Sequence, residues 1–169
     1  MKNILLFSFI AIFSASLVAQ DSEFKAGHDG WLVDINEAYQ LHEETGKPIM
    51  ANFTGSDWCG WCKRLSASVF VHEEFKDWAK ENVILLELDY PKRKKIPEKY
   101  RRQNAQLQQA FQVRGYPTIW VFELDSDSET GEFKINALGK TGYKPSVAQF
   151  TTDVDKIIAQ AEKGNSEEQ

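Results

Sequence analysis

The sequence predicts an α/β domain with a central mixed sheet of about four to five strands, flanked by helices on both faces. Apolar runs at 49–53, 83–89 and 119–123 alternate with helical patterns, and the first two, joined through a helix, should be parallel neighbours. The run at 49–53 lacks polar alternation, as expected of a central strand covered on both faces. A polar turn at 125–131 joins the third run to an apolar run at 133–138, and so short a connection makes the last pair antiparallel.

Residues 1–19 predict a secretory signal peptide that is cleaved after Ala19. Lys2 gives a positively charged start, and residues 4–18 are almost wholly apolar, which is the pattern of such a leader. A retained membrane anchor is the alternative, but the apolar run is short for a full span. Export would place the protein in the periplasm or another oxidising compartment, where disulfides form and persist.

Length and charge limit the remaining possibilities. The chain has 169 residues with 20 basic and 25 acidic side chains, a formal net charge of −5. Without its leader the chain is long enough for one compact domain, predicted at 31–162 between a flexible lead-in at 20–30 and a disordered tail at 163–169. The mildly acidic balance argues against nucleic-acid binding, and a single domain without an added dimerisation segment predicts a monomer.

The elements before the cysteines are predicted from caps and apolar spacing. Residues 31–33 form a short strand or an anchoring segment, and Asp34 or Asn36 caps a helix that runs to about Thr45. Gly46 ends this helix. Its buried stripe is predicted to consist of Ile35, Ala38, Tyr39 and Leu41.

The helix that carries the cysteines is expected to break after Cys62. The residues that follow are weak helix formers, namely Ser66, Ser68, Val69 and Val71. Three more helices are predicted downstream from their apolar spacing. They span 72–80, then 100–113 up to Gly115, and then a stretch from Pro145 or Ser146 to about Ala161.

The only cysteines of the chain, Cys59 and Cys62, stand two residues apart at a predicted helix start. A Cys-x-x-Cys at that position places two thiols one helical turn apart, close enough to form a disulfide. The helix dipole and the free backbone N–H groups of the first turn favour the thiolate of Cys59. This arrangement predicts thiol–disulfide exchange.

Two simpler interpretations of the cysteine pair are weaker. Half a zinc site would need two more ligands, and no pair of histidines stands at ligand spacing. An inert structural disulfide would gain little from so short a loop, and the aromatic residues that flank the cysteines are of an exposed type. We therefore expect no metal and no cofactor other than the cysteine pair itself.

A basic segment, residues 92–102, follows the second predicted strand. Because parallel neighbours end at the same edge of a sheet, this segment should emerge on the edge that carries Cys59. Two interpretations remain open at this point. The segment is either a solvated charged loop or a docking patch for an acidic partner beside the cysteines.

Two motifs carry a family resemblance. Residues 58–63, Trp-Cys-Gly-Trp-Cys-Lys, match the active site of the thioredoxin family, except that Trp61 stands where thioredoxin has proline. Residues 115–118, Gly-Tyr-Pro-Thr, match the cis-proline segment of the family. Over about residues 31–162 the sequence therefore resembles the thioredoxin superfamily, and most of all its exported bacterial members of the thiol–disulfide reductase and disulfide isomerase type.

The resemblance implies a thioredoxin fold and a role for each matching residue. Cys59 would be the nucleophile, and Cys62 the more buried resolving thiol, with a redox-active Cys59–Cys62 disulfide. Pro117 would be cis and packed against the cysteines, and the backbone of Tyr116 would pair with the substrate chain. The other substrate-binding residues implied are Trp58, Gly60 and Trp61.

One departure from the family concerns proton transfer. Many thioredoxins carry a buried acid on the strand before the motif; aligned on Phe53, that place is taken here by Asn52, which cannot act as a general base. Asp57, Glu87 or water are the alternatives that the sequence leaves open. Lys63 could support the thiolate electrostatically.

The implied function is a thiol–disulfide oxidoreductase that acts on protein or peptide disulfides in an exported compartment, with a membrane or exported electron donor. Strong oxidants of the family commonly carry a histidine between the cysteines, whereas Gly60 and Trp61 stand here. A reductase or isomerase is therefore favoured. The alternative is a redox-idle, thioredoxin-like module that binds peptides through Trp61 and Pro117.

Overall fold

The computed structural model describes residues 24–127, 130 and 133–167. The predicted signal peptide lies outside these residues. Within them the chain forms five α-helices, one π-helical turn and one four-stranded sheet. The elements are α1 (Ile35–Thr45), β1 (Ile49–Thr54), α2 (Gly60–Leu65), the π-helical turn (Ser66–Phe70), α3 (Glu73–Asn82), β2 (Ile84–Asp89), α4 (Glu98–Ala110), β3 (Thr118–Ser126), β4 (Phe133–Thr141) and α5 (Val147–Glu167). No helix in the described part of the chain has the length and apolar character that a bilayer-spanning segment needs.

The sheet is mixed, with the strand order β2-β1-β3-β4. β1 is parallel to β2, with Thr54 opposite Asp89, and antiparallel to β3, with Phe53 opposite Thr118. β3 and β4 form an antiparallel hairpin. The predicted mixed sheet with a central first strand is confirmed. The ends of β1 and β2 and the start of β3 share one edge of the sheet, which we call the carboxyl edge.

The segment before α1 adds a single bridge to the sheet. Leu32 pairs in parallel with Leu86, so of the two alternatives for residues 31–33, a short strand or an anchoring segment, the structure shows one bridge and no full strand. Asp34 is the N-cap of α1 and accepts a hydrogen bond from the N–H of Asn36 at 2.9 Å. Gly46 ends the helix with a left-handed φ of 69°, a conformation that glycine adopts without strain.

The predicted burial of Leu41 is wrong. Ile35 and Ala38 are buried, but the side chain of Leu41 is 39% exposed. Each helical residue turns by about 100°, and this rotation carries Leu41 away from the stripe that contains Ile35 and Ala38. Its apolar character alone did not indicate which face of α1 it occupies.

The helix that carries the cysteines breaks later than predicted. α2 continues to Leu65 and then into the π-helical turn, which closes with a bond from the N–H of Val71 to the oxygen of Ser66 at 3.2 Å. Val69 and Phe70 are buried in this turn. Their burial outweighs the weak helix propensity of the segment.

Helices cover both faces of the sheet, as predicted. α1 and α4 pack on one face, where the largest buried side chains include Phe53 and Phe122. α2, the π-helical turn, α3 and α5 pack on the other face around Phe70, Phe75 and Phe150. The core is therefore split into two layers by the sheet.

Both ends of the described chain differ from the expected boundaries. Residues 24–30, expected as a flexible lead-in, contact the domain through a 2.9 Å bond from the N–H of Gly27 to the Glu87 carboxylate. A 2.8 Å contact between His28 and Ser66 joins the same segment to the π-helical turn. At the other end α5 runs to Glu167, beyond the predicted end at Ala161 and into the stretch expected to be disordered.

Candidate active site

The two cysteines lie at the carboxyl edge, where the turn after β1 leads into α2. Cys59 is the N-cap of α2, and its sulfur accepts a hydrogen bond from the N–H of Cys62 at 3.1 Å. The two side chains form a disulfide across a Cα–Cα distance of 5.3 Å. The N–H group that contacts the Cys59 sulfur is a group of the kind that stabilises a thiolate.

The expected difference in burial between the cysteines is absent from this disulfide form. Cys59 and Cys62 are each 6% exposed, because each sulfur covers the other when they are bonded. Gly60, which stands between them, is exposed. In the described part of the chain, no group of three or more His, Cys, Asp or Glu side chains is arranged to hold a metal ion.

Trp58, the residue directly before Cys59, packs against its neighbours at the carboxyl edge. Its indole N–H donates to the backbone oxygen of Tyr90 at 2.8 Å, and its ring meets Tyr116 edge-to-face at 5.6 Å between centroids. A Cβ at Gly55 would lie only 2.5 Å from the Trp58 ring, so the close approach requires glycine at that position. Trp58 thus joins three segments of the carboxyl edge.

Trp61 is exposed, as its place between the two cysteines predicts. It is 53% exposed, its ring lies 5.0 Å from that of Tyr143, and the guanidinium of Arg64 lies 4.6 Å from its centroid. Sequence reasoning did not select Tyr143. Its only signal was its place in the turn after the last strand, which the hairpin returns to the carboxyl edge.

The bond between Tyr116 and Pro117 is cis, as the resemblance implied. Pro117 leads directly into Thr118, which pairs with Phe53 of β1, so the proline lies at the same edge as the cysteines. The hydroxyl of Tyr116 accepts a 2.7 Å hydrogen bond from the side-chain amide of Gln108. An open groove of about 1120 Å³ begins at Pro117 and continues along β3 and β4 past residues that include Trp120, Phe133 and Ile135.

Asp57 connects the turn before the cysteines to the loop after β2. Its carboxylate accepts backbone N–H groups from Lys92 at 3.0 Å, Arg93 at 2.6 Å and Lys94 at 3.1 Å. Loss of solvation alone would raise the pKa of Asp57, but these N–H groups outweigh it and hold that pKa below its usual value. The ammonium of Lys63 donates to the backbone oxygen of Asp57 at 3.4 Å, which fixes the same turn from the α2 side.

Asp89 makes a second connection at this edge. Its carboxylate accepts the backbone N–H of Ser56 at 2.8 Å and the Ser56 hydroxyl at 2.7 Å. It also pairs with the ammonium of Lys94 at 3.0 Å. The turn that delivers Cys59 is therefore bound to the end of β2 through two carboxylates.

Asn52 and Glu87 face each other across β1 and β2. Asn52 shares the face of Met50, because side chains alternate along a strand, and that is the face covered by α2. Burial raises the pKa of Glu87, and the charge of Asp89 raises it further, against the opposing N–H of Gly27. The Oδ1 of Asn52 is buried and has no hydrogen-bond partner among the described residues.

Comparison with known proteins gives matches in both sequence and fold. A family model described as thioredoxin-like matches residues 30–123. The disulfide bond reductase DsbH of Chlamydia pneumoniae is 32% identical over 109 residues, which are 64% of this chain and 60% of that protein. The thioredoxin-related protein DsbJ of the same organism is 28% identical over 109 residues, 64% of this chain and 30% of that protein.

This chain therefore spans less than two thirds of the length of either curated relative. A solved structure of DsbH oxidoreductase superposes with a TM-score of 0.65 and 28% identity, over 86% of this chain and 95% of that one. The thioredoxin fold expected from the two motifs is confirmed by this superposition.

Proposed function

We propose, from the premise that this chain belongs to the thioredoxin-like family, that it is a thiol–disulfide oxidoreductase that reduces protein or peptide disulfides. The observation that carries the proposal is the Cys59–Cys62 disulfide at the start of α2, with the N–H of Cys62 on the Cys59 sulfur. The similarity to a protein named disulfide bond reductase supports the same direction of electron flow.

The reaction begins from the reduced protein. The Cys59 thiolate attacks one sulfur of the substrate disulfide, and the other substrate sulfur leaves as a thiolate and takes up a proton. Cys62 then loses its proton and attacks the Cys59 sulfur, which releases the second substrate thiol and forms the Cys59–Cys62 disulfide. Two electrons and two protons pass to the substrate, and a dithiol protein must return them before the next cycle.

The surroundings of Cys59 support a moderate stabilisation of its thiolate. An unperturbed cysteine with a pKa of about 8.5 is only a few per cent thiolate at pH 7. The N–H of Cys62 and the start of α2 both favour the charged sulfur. Gly60 and Trp61 add no further hydrogen-bond donor of the histidine type, which supports a reductase or isomerase over a strong oxidant.

Among the alternatives for the proton acceptor of Cys62, we favour Glu87, which is buried beside Asn52 in the half of β2 that ends at the carboxyl edge. The carboxylate of Asp57 is engaged by three N–H groups and has a lowered pKa. Glu87 lies on the same sheet face as Met50 and Leu85 and has a raised pKa, so it takes up a proton more readily than Asp57 does. Asn52 beside it offers an oxygen that a protonated Glu87 could use.

The proposed substrate surface consists of the exposed ring of Trp61, the partly buried ring of Tyr143 beside it, and the backbone of Tyr116. Trp61 and Tyr143 present their rings beside the disulfide, and Tyr116 precedes the cis proline at the same edge. An extended substrate segment would pair with the backbone of Tyr116 and place its own disulfide over Cys59. Gly60 leaves the approach to the sulfurs free of a side chain.

The proposed cellular setting is an exported one. Residues 1–19 would direct export to the periplasm or a comparable oxidising compartment, where the electrons come from a membrane or exported dithiol donor. The protein would act as a monomer without any cofactor beyond its cysteine pair.

Single-turnover reduction of a disulfide peptide tests the proposed function. The reduced wild-type protein should convert the peptide to its dithiol and become oxidised itself, whereas Cys59→Ser should not react. Cys62→Ser should accumulate a covalent mixed disulfide through Cys59, visible by mass spectrometry. A reduced wild-type protein that binds the peptide but transfers no electrons would contradict the proposal and support a redox-idle binding module.

A further inference from the structure

The loop between β2 and α4 is strongly basic, in contrast to the net negative charge of the whole chain. The whole chain carries a net charge of −5, yet residues 92–95 read Lys-Arg-Lys-Lys, and all four side chains are exposed. Since β1 and β2 are parallel, this loop starts at the same carboxyl edge from which the turn to Cys59 starts. The loop and the disulfide therefore share one surface.

The backbone of this loop is fixed by the residues directly before Cys59. Asp57 holds the N–H groups of Lys92, Arg93 and Lys94. The Trp58 indole holds the oxygen of Tyr90, and the ammonium of Lys92 lies 4.0 Å from the centroid of the Trp58 ring. A loop with a fixed backbone presents its cations at defined positions, and these positions adjoin the active-site turn.

Only part of the positive charge in this region is neutralised inside the protein. Four cations are paired with carboxylates: Lys94 with Asp89, Lys99 with Asp34, and Arg101 and Arg102 with Glu98. Among the described residues, no carboxylate lies within ion-pair distance of Lys92, Arg93 or Lys95. These three cations remain for a charge from outside.

A pocket of about 490 Å³ lies beside Lys95, one of these three cations. Tyr90 and Ile96 give it apolar walls. Its charged lining consists of Lys94 and Arg101, which are paired with Asp89 and Glu98 of the same lining, and of Lys95, which has no carboxylate partner among the described residues. Such a lining suits a carboxylate side chain next to an apolar one. It is a poorer match for a basic or fully apolar segment.

We propose that the β2–α4 loop recognises an acidic segment of the substrate polypeptide, so that the protein prefers disulfides that have Asp or Glu residues nearby in sequence. This inference rests on the proposed reductase function and names the substrate class that the site selects. Charges within about 10 Å interact at ordinary ionic strength, and complementary charge mainly raises the rate of association. The preference should therefore appear in the second-order rate constant and weaken with salt.

Two disulfide peptides of identical sequence, except that Asp residues beside the cysteine in one are Asn in the other, test this inference. Their second-order rates of reduction are measured with reduced wild-type protein at low and high salt. We expect the Asp peptide to react several-fold to roughly ten-fold faster at low salt, and the ratio to approach one at high salt. In Arg93→Glu/Lys95→Glu the ratio should fall to one or below at both salt concentrations.

A matched control separates the loop from the total charge of the protein. Lys80→Glu/Lys134→Glu makes the same change in net charge at exposed positions. Lys80 precedes the start of β2. Lys134 of β4 lies opposite Asp125 in the strand register, near the end of β3 that is far from Thr118. Both positions therefore lie away from the carboxyl edge. This control should keep the wild-type ratio, and far-UV circular dichroism should show both double variants folded.

The outcomes distinguish the inference from the function on which it rests. Equal rates for the two peptides with wild-type protein, or an equal loss of preference in the control variant, would overturn the role of the loop while leaving the reductase intact. Failure of the reduced wild-type protein to reduce either peptide would overturn the proposed function, and the substrate preference with it.

Discussion

The sheet face covered by α1 and α4 is apolar along β1 and β2, whereas the opposite face becomes polar toward the carboxyl edge. On the first face, the buried strand residues are Ile49, Ala51, Phe53, Ile84, Leu86 and Leu88. On the second, Met50 and Leu85 are followed by Asn52, Thr54, Glu87 and Asp89, all buried. The polar residues therefore collect toward the carboxyl edge, the end of the sheet that carries the cysteines.

The two faces of the sheet therefore differ in what they contribute: one contributes mainly packing, and the other carries the buried polar and titratable groups. Burying polar groups costs free energy unless they are hydrogen-bonded, and the second face meets that requirement unequally. The carboxylate of Asp89 has three donors, Glu87 has one backbone donor, and the Oδ1 of Asn52 has none among the described residues. We infer that the apolar face supplies packing energy, while the polar face keeps titratable groups at the edge of the sheet that carries the cysteines.

The largest effect on stability is expected on the apolar face. Phe122 is fully buried and its ring lies 4.9 Å from that of Phe111. Phe122→Ala should lower the free energy of unfolding by about 3–5 kcal/mol, measured by urea denaturation. The equilibrium constant of the Cys59/Cys62 pair with glutathione should stay within about twofold of wild type, since Phe122 packs on the face away from α2.

The milder Phe122→Leu serves where the alanine variant does not fold, and it should show the same separation with a smaller loss of stability. A change in the glutathione equilibrium as large as the change in unfolding free energy would show that the two faces are coupled, contrary to this account.

The next effect concerns the buried acid on the polar face. Burial raises the pKa of Glu87, so the carboxyl prefers its neutral form in the folded state. Its contribution to stability is fully present below the pKa of the unfolded chain and is lost as the pH rises through the raised folded pKa. Each unit of the raise is worth about 1.4 kcal/mol.

Urea unfolding of wild type and Glu87→Gln between about pH 4 and pH 8 tests this linkage. Gln keeps an oxygen for the N–H of Gly27 but does not ionise. The free energy of unfolding of the variant should therefore increase relative to that of the wild type as the pH rises. Glu81→Gln, an exposed glutamate on α3, is the matched control and should leave the pH profile unchanged. A pH-independent difference for Glu87→Gln would contradict the raised pKa.

The smallest effect is expected in the turn before Cys59, and it is local. Asp57→Ala removes the acceptor for the N–H groups of Lys92, Arg93 and Lys94. These three amides should exchange with solvent at least about tenfold faster, whereas Asp125→Ala should not affect them. Because the pKa of Asp57 is lowered, wild-type protection should hold above the ordinary pKa of an aspartate and be lost only as the pH falls through the lowered value.

Unchanged exchange at residues 92–94 in Asp57→Ala would remove the physical link between the basic loop and the active-site turn. The substrate preference inferred for the loop would then lose its geometric support.

Local motifs and connection lengths predicted most of the fold and the reacting pair. The Cys-x-x-Cys spacing located the disulfide, and the Gly-Tyr-Pro-Thr segment indicated the cis bond before Pro117, because both signals lie within a few residues of sequence. The start of α1 also followed from local patterns, although they left Asp34 and Asn36 open as its cap. The prediction that Leu41 is buried was wrong because apolar character alone does not indicate which face of a helix packs against the sheet.

What the sequence did not predict depends on contacts between distant segments. Two such contacts are the ring contact between Trp61 and Tyr143 and the hydrogen bonds from the N–H groups of residues 92–94 to Asp57. They join parts of the chain that only the folded sheet brings to one edge. The π-helical turn forms because Val69 and Phe70 are buried under α5 and α3, which local propensity does not report. Such contacts follow from packing and carry no local signature.

The redox potential of the Cys59/Cys62 pair tests the central claim most directly. The protein is equilibrated in dithiothreitol buffers of known potential, the free thiols are trapped, and the fraction oxidised is read by mass spectrometry. We predict a potential nearer the reducing value of about −270 mV than the strongly oxidising value of about −120 mV. A value near −120 mV would contradict the account, because the pair would then donate disulfides to its partners instead of reducing them.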